Sequence, residues 1–396
     1  MSKLDELIQE LCPEGVEYKE ISEVTNYEQP SKYIVKSTAY HDEYEIPVLT
    51  AGQSFVLGYT DESDGVYPAS KATPVIIFDD FTAAFKWVVF PFKVKSSAMK
   101  IITAKEDSLL IRFLFHWMGV LNYSSTEHTR LWIGTYSKFR IPVPPLPVQR
   151  EIVRILDNFA ELTAELTAEL TAELTARKKQ YSYYRDKLLT FGDVQVGVTS
   201  DVIWRALGEI CDVRDGTHDS PKPTPTGKYL ITSKNVKNGT IDYTGAYLIS
   251  DKDYEQINVR SKVDTWDILF TMIGTIGEIG VVAYESDFAI KNVGLIKTGN
   301  ELLSRFLRHY LVSDKVKAYI DANRSKGTQA FLALGKLREL PVPVVSEPAM
   351  KKLVQVLDNF DALCTDLSSG LPAEIEARQK QYEYYRDKLL TFTPAD

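Results

Sequence analysis

Three polar loops in the second half of the chain gather side chains that can hydrogen-bond to phosphates and base edges. They are GTHDSPKP (Gly216–Pro223), SKNVKNG (Ser233–Gly239) and RSKGTQ (Arg324–Gln329). Arg and Lys present donors to phosphate oxygens and to guanine, and Asn and Gln match adenine. The first half has YEQPSKY (Tyr27–Tyr33), GQS (Gly52–Ser54), DDFT (Asp79–Thr82) and the stretch Lys95–Lys100. The candidate contact residues of the first half are Gln29, Lys32, Gln53, Ser54, Asp79, Thr82, Lys95 and Lys100. Those of the second are His218, Lys222, Lys234, Asn235, Lys237, Asn238, Thr271, Thr275, Arg324, Lys326, Thr328 and Gln329. Taken one at a time, most of these positions read as ordinary solvated loop residues. The clusters carry the reading, not the single residues.

Catalytic patterns are missing. There is no Asn/Asp-Pro-Pro-Tyr/Phe motif of an amino-methyltransferase. A phosphate-binding G-x-x-x-x-G-K-[ST] loop is also lacking, since Gly227-Lys228 is followed by Tyr229 and Gly335-Lys336 by Leu337, neither with a hydroxyl for magnesium. GTIGEIG (Gly274–Gly280) has glycines every third residue and reads as a turn-rich strand connection. His41, His116, His128, His218 and His309 show no metal spacing with the cysteines. Asp79-Asp80 with Lys86 is too common a pattern to define a nuclease metal site. The sequence therefore points to no catalytic residue and no metal.

Net charge is −8, which argues against a simple basic nucleic-acid binder. Its distribution softens the point: residues 200–345 carry 19 Lys and Arg against 18 Asp and Glu. DNA binding would need local patches, or counter-charge from a partner. Cys12, Cys211 and Cys364 are isolated and odd in number, which fits a reducing cytoplasm. No apolar run reaches the length of a membrane span, and the charged N-terminus has no signal-peptide core.

The elements that must position the loops repeat. Val153–Phe191 and Val354–Phe392 align without a gap, each residue 201 positions after its partner. LDNF occurs at Leu156–Phe159 and Leu357–Phe360, and YYRDKLLTF at Tyr183–Phe191 and Tyr384–Phe392. From Gln149 to Phe191 there is neither Pro nor Gly, and helix formers dominate. About 43 residues rising 1.5 Å each predict a rod of roughly 60 Å, long enough to suggest a coiled coil. Its centre holds Leu162, Leu166, Leu170 and Leu174 in Leu-Thr-Ala-Glu units. Four residues advance a helix by about 400°, so this stripe drifts about 40° per unit. The ends hold Tyr181, Tyr183, Tyr184 and Arg185, repeated as Tyr382, Tyr384, Tyr385 and Arg386. Adjacent tyrosines cannot all face one seam, and Tyr and Arg anchor interfaces. Tyr181, Tyr184, Arg185, Tyr382, Tyr385 and Arg386 are the partner-docking candidates, and two identical docks predict two copies of one partner.

A block of short β-branched runs precedes each helix. IPVLTAG (Ile46–Gly52) corresponds to KYLITSK (Lys228–Lys234), and PVIIFDDF (Pro74–Phe81) to WDILFTMIG (Trp266–Gly274). RFLFHW (Arg112–Trp117) is echoed by RFLRHY (Arg305–Tyr310). The expected fold class is α+β: two tandem mixed domains joined by two long helices in an antiparallel coiled coil with pseudo-two-fold symmetry. The expected divisions are a first recognition domain at 1–146 with a short helix at 2–11, a long helix and linker at 147–199, a second domain at 200–345, and a C-terminal long helix at 346–396. The short N-terminal helix is placed to pack beside the C-terminal rod.

The exits IPVP (Ile141–Pro144) and LPVP (Leu340–Pro343), then ILDNF or VLDNF, RKKQY or RQKQY, and YYRDKLLTF, resemble the specificity subunit of Type I restriction–modification enzymes. The resemblance covers the whole chain, and the Leu-Thr-Ala-Glu units mark one branch of the family. It implies a non-catalytic subunit that reads a bipartite, asymmetric DNA target, one part per domain, with an unread spacer. It implies that the helices bind two modification subunits that methylate adenine N6, and that two restriction subunits complete an ATP-dependent nuclease. S-adenosylmethionine, ATP and Mg are then expected on those partners, with no cofactor on this chain. Two other readings stay open: a coiled-coil adaptor that binds only proteins, and a nuclease or methyltransferase active alone.

Overall fold

The structure is a computed structural model that describes residues 2–50, 54–105, 107–123, 129–191, 202–327, 330–365 and 370–395. Its helices, in chain order, begin with α1 (Lys3–Leu11), α2 (Ile21–Val24), α3 (Ile111–Leu121) and α4 (Leu146–Thr190). They continue with α5 (Leu207–Ile210), α6 (Asp251–Ser261), α7 (Glu301–Leu311), α8 (Asp314–Asn323) and α9 (Leu334–Arg338). The last two are α10 (Glu347–Thr365) and α11 (Leu371–Leu389). The chain divides into two compact units: residues 1–169 with 375–396, and residues 170–374. Each unit therefore combines a globular block with parts of both repeated helical segments.

In the first unit a four-stranded antiparallel sheet runs in the order Thr25–Glu28, Met99–Ala104, Val75–Asp79, Phe85–Val88. A three-stranded sheet, Val56–Thr60, Ile46–Leu49, Lys93–Val94, adjoins it and contains one parallel pair, Val48 opposite Lys93. Strand alternation splits Val75–Asp79 between two cores. Ile76 and Phe78 face α3, packing with Phe113, Leu114 and Met118. Val75 and Ile77 pack with Leu49, Phe92 and Val94 on the other side. This strand is buried at all five positions, which explains its continuous apolar run.

The second unit repeats the plan. Its four-stranded sheet is ordered Asp212–Asp215, Val293–Lys297, Ile268–Thr271, Ile279–Val281, and its three-stranded sheet Tyr247–Ile249, Lys228–Thr232, Ala289–Lys291. The parallel pair recurs, Leu230 opposite Ala289. The correspondences read from IPVLTAG/KYLITSK and PVIIFDDF/WDILFTMIG hold at the level of strand position in each sheet. The fold class is α+β, two tandem domains with long helices.

The central helix is continuous for 45 residues, in keeping with its composition. Its C-terminal counterpart is described as two helices of 19 residues each, α10 and α11; residues 366–369 between them lie outside the described residues. Gly370 directly precedes α11, and Pro372 stands in its first turn, where a proline is tolerated. The leucine run shows its drift: Leu170 is buried, Leu166 and Leu174 are half-buried, and Leu162 is 63% exposed. Within the second unit α4 and α10 run antiparallel. Tyr184 stacks on Phe360 at 6.1 Å, while Arg177 and Lys178 lie near Cys364.

The termini meet inside the first unit, as the sequence suggested for the N-terminal helix. Ser2 caps α1, accepting from the Asp5 amide at 3.2 Å. Leu4 packs with Leu389, Leu390 and Phe392, and Lys3 pairs with Glu151 at 3.1 Å. The Val16 amide donates to the Thr393 carbonyl at 2.9 Å, and the Ala395 amide returns a bond to Val16 at 3.0 Å. Gly15 makes the crossing possible. Its φ is +100°, and a Cβ there would stand 2.7 Å from the carbonyl oxygens of Thr393 and Pro394. Gly15→Ala should destabilise the first unit by about 1–3 kcal/mol, read as a lowered thermal midpoint. An unchanged midpoint would show that the tail does not hold this crossing.

Candidate nucleic-acid interface and helix surface

Both units bring two loops together at the same place in the fold. In the first, the turn after Val75–Asp79 meets the segment 130–132. The Leu131 amide donates to the Asp80 carbonyl at 2.8 Å, and the Trp132 amide to Asp80 Oδ1 at 2.8 Å. In the second, the turn after Ile268–Thr271 meets the segment 331–332. The Leu332 amide donates to the Met272 carbonyl at 2.9 Å, and Ile273 bridges Phe331. Leu131 and Leu332 are 201 positions apart, so the juxtaposition belongs to the duplication.

Each turn is braced from within. Asp79 Oδ1 accepts from the amides of Phe81 at 2.8 Å and Thr82 at 3.2 Å, leaving the Thr82 side chain exposed. Thr271 is fully buried; its hydroxyl donates to the Thr275 carbonyl at 2.5 Å and accepts from the Glu278 amide at 2.9 Å. Thr275 itself is exposed. The second surface also carries exposed Phe331, Arg324 and Lys326, with Arg324 paired to Asp321 at 3.2 Å. The first carries Arg130, which is 3.6 Å from Asp80.

Other candidates fall into two groups. Lys100 is 2% exposed and lies 3.1 Å from buried Asp80; its ammonium also bonds Gln29. Gln29 in turn donates to the Ser97 carbonyl at 2.7 Å. Lys100 and Asp79 therefore brace the fold, and their polar atoms face inward. Asn235 is buried too, donating to the Asp242 carbonyl at 2.9 Å and accepting from the Thr232 amide at 3.0 Å. Lys32, Ser54, Lys95, Lys222, Lys234, Lys237 and Asn238 are exposed. Of these, Lys32 pairs with Glu28 at 2.9 Å, Lys237 with Asp242 at 2.7 Å, and Lys95 lies over the Tyr40 ring. Exposed His218 is held between Asn292 at 2.9 Å and Asp215 at 3.0 Å. Gln53, Thr328 and Gln329 lie outside the described residues.

The helix ends sort by periodicity. Tyr181 and Arg185, four apart, turn inward: Tyr181 packs with the core of the second unit, and Arg185 pairs with Asp186 at 2.8 Å. Burial pushes the Tyr181 hydroxyl pKa upward. In the first unit Tyr382 is half-buried, and Arg386 packs against Gly119 of α3. What remains outside is Tyr183 with Tyr184, and Tyr384 with Tyr385, each pair in edge contact at 5.3 Å. Tyr184 rests on Phe360 and Tyr385 on Phe159. Tyr183 and Tyr384, the most exposed of these, were not among the sequence-derived docking residues; counting by 3.6 from the inward Tyr181 and Arg185 would have found them.

One duplicated contact joins helix to domain. Asp157 of LDNF takes Arg112 Nε at 2.8 Å and His116 Nε2 at 2.8 Å. Asp358 takes Arg305 Nε at 2.8 Å and His309 Nε2 at 2.6 Å. Burial pushes both carboxyls up, but the His and Arg partners outweigh it, so both lie below the ordinary range. The sequence held the signal, because RFLFHW/RFLRHY and LDNF each occur twice.

The two units share one plan: a mixed-sheet domain packed on parts of the repeated helical segments, each with its own turn-and-loop polar surface. Residues 13–176 and 200–377 match the Type I restriction modification DNA specificity domain family. The chain is 40% identical to the EcoR124I/EcoR124II specificity subunit of Escherichia coli, over 99% of this chain and 98% of that one. It is 30% identical to a putative type I specificity subunit of Haemophilus influenzae, over 96% of each. A solved structure from a study of type I restriction–modification complex assembly aligns with a TM-score of 0.61 at 16% identity, over 95% of this chain and 97% of that one. The chain belongs to the family of type I restriction–modification specificity subunits, which recognise DNA as non-catalytic parts of an enzyme complex. No helix among the described residues is long and apolar enough to cross a membrane.

Proposed function

We propose that each unit reads one part of a bipartite, asymmetric DNA target, and that the helices set the separation of the two parts. The reading rests on one observation: the same turn-and-loop surface recurs in both units with different exposed side chains. Thr82 and Arg130 occupy it in the first, and Thr275, Arg324, Lys326 and Phe331 in the second. A shared frame with different side chains suits two different half-sequences. The exposed pairs Tyr183–Tyr184 and Tyr384–Tyr385 are the docks for two modification subunits, and two restriction subunits complete the nuclease. S-adenosylmethionine, ATP and Mg reside on those partners. The net charge of −8 makes the isolated chain a weak DNA binder, with the partners contributing phosphate contacts.

The test is adenine methylation of unmodified genomic DNA with S-adenosylmethionine. The chain alone should be inactive, and the chain with modification subunits should methylate at a defined sequence. Activity of the chain alone would favour an enzyme; methylation without sequence preference would favour a protein-only adaptor.

A further inference from the structure

We propose that Asp157 and Asp358 are positioning residues, each fixing the register of one recognition domain on the helices and thereby the register in which its half of the target is read. The inference rests on the DNA-reading function above. In the first unit Asp157, on α4, holds Arg112 and His116, one turn apart on α3. The Arg112 guanidinium is itself fixed, with its carbon 4.7 Å from the ring centroids of Trp87 and Phe115. In the second unit Asp358, on α10, holds Arg305 and His309 of α7 in the same way. His309 Nδ1 also lies 2.7 Å from the Tyr181 hydroxyl, so one imidazole ties α7 to both α4 and α10.

Apolar ridges on helices repeat each turn and tolerate a slip by one turn; a directional two-donor contact to a single carboxylate does not. Such ion pairs add little stability over an apolar replacement of the same shape, and their best-attested use is to fix register. The clamp recurs in both units although the surrounding domains have diverged, and none of its side chains lies in the reading loops. Base-edge hydrogen bonds tolerate little misplacement, so a domain loose on its helix would read loosely.

The experiment uses the complete complex and the target found for the unaltered protein. Asp157→Asn and Asp358→Asn keep side-chain volume and remove the charge. Methylation is measured on duplexes altered at single bases in either half, and with the spacer one base pair longer or shorter. Asp157→Asn should reduce discrimination in the half read by the first domain by about tenfold, leave the other half unchanged, and admit an altered spacer. Asp358→Asn should do the converse. His116→Gln, which retains a donor toward Asp157, should keep discrimination within about twofold. Should Asp157→Asn fail to fold, Arg112→Met removes one donor and leaves the other, with the same half-specific effect expected. Unchanged discrimination in assembled variant complexes, or an equal loss in both halves, would overturn the proposal. Absence of any sequence preference in the unaltered complex would instead overturn the reading on which it rests.

Discussion

A chain lacking Thr171–Leu174 will direct modification to a target whose two parts are closer by roughly one to two base pairs. These four residues are one unit of the Leu-Thr-Ala-Glu run, within the unbroken α4. Their removal takes about 6 Å of rise and about 40° of rotation from the helix. Duplex DNA rises about 3.4 Å per base pair and turns once in about 10.5, or about 34° per step. Rise alone corresponds to nearly two base pairs and rotation to about one, so the shift is bounded between them. α4 is the covalent path by which residues of one unit lead into the other. Deleting two residues is the control, since it turns everything beyond it by about 200° and should abolish modification. The measurement is the methylated-site sequence for each variant. An unchanged spacer in the four-residue deletion would refute the role of the run.

The second large effect concerns the exposed tyrosines. Replacing Tyr183 and Tyr184 with Ala should leave a complex with one modification subunit instead of two. Replacing Tyr384 and Tyr385 should do the same, and all four together should leave none. Tyr183 and Tyr384 are 60% and 62% exposed, and each adjoins a second tyrosine that rests on a phenylalanine. Tyr183 and Tyr384 are exposed beyond what helix packing requires, and a tyrosine that anchors an interface as a hot spot contributes about 2 kcal/mol or more. Affinity at an altered dock should fall by at least about thirtyfold. Mass measurement of the assembled complexes reads the outcome. Loss of both partners from one altered pair, or of neither, would contradict independent docks.

Much of this molecule was legible before its structure, for identifiable reasons. The helix from Leu146 to Thr190 follows from the stretch Gln149–Phe191, which is free of Gly and Pro, with Pro147 tolerated in its first turn. The domain duplication was visible because β-branched runs recur in the same order, and the sheets keep that order with the same parallel pair. The start of α11 was equally visible in Gly370 and Pro372, but the matching flanks on either side outweighed it. Residue type misled at Lys100. Its neutralising partner, Asp80, is not adjacent in sequence, and a lysine in a β-branched run shows nothing of the carboxylate waiting across the sheet. The Arg-His-Asp clamps escaped for the same reason, since Arg112 and Asp157 lie on different helices. Helical phase, by contrast, was available for the tyrosines: once Tyr181 and Arg185 face inward, Tyr183 lies on the opposite side of the helix.

The central claim is that two diverged domains read two separate sequences through one chain. Sequencing the methylated adenines in a genome exposed to the assembled complex tests it most directly. The account predicts one motif of two unlike specific parts separated by a fixed run of unspecified bases. A single continuous motif, or methylation without sequence preference, would contradict it.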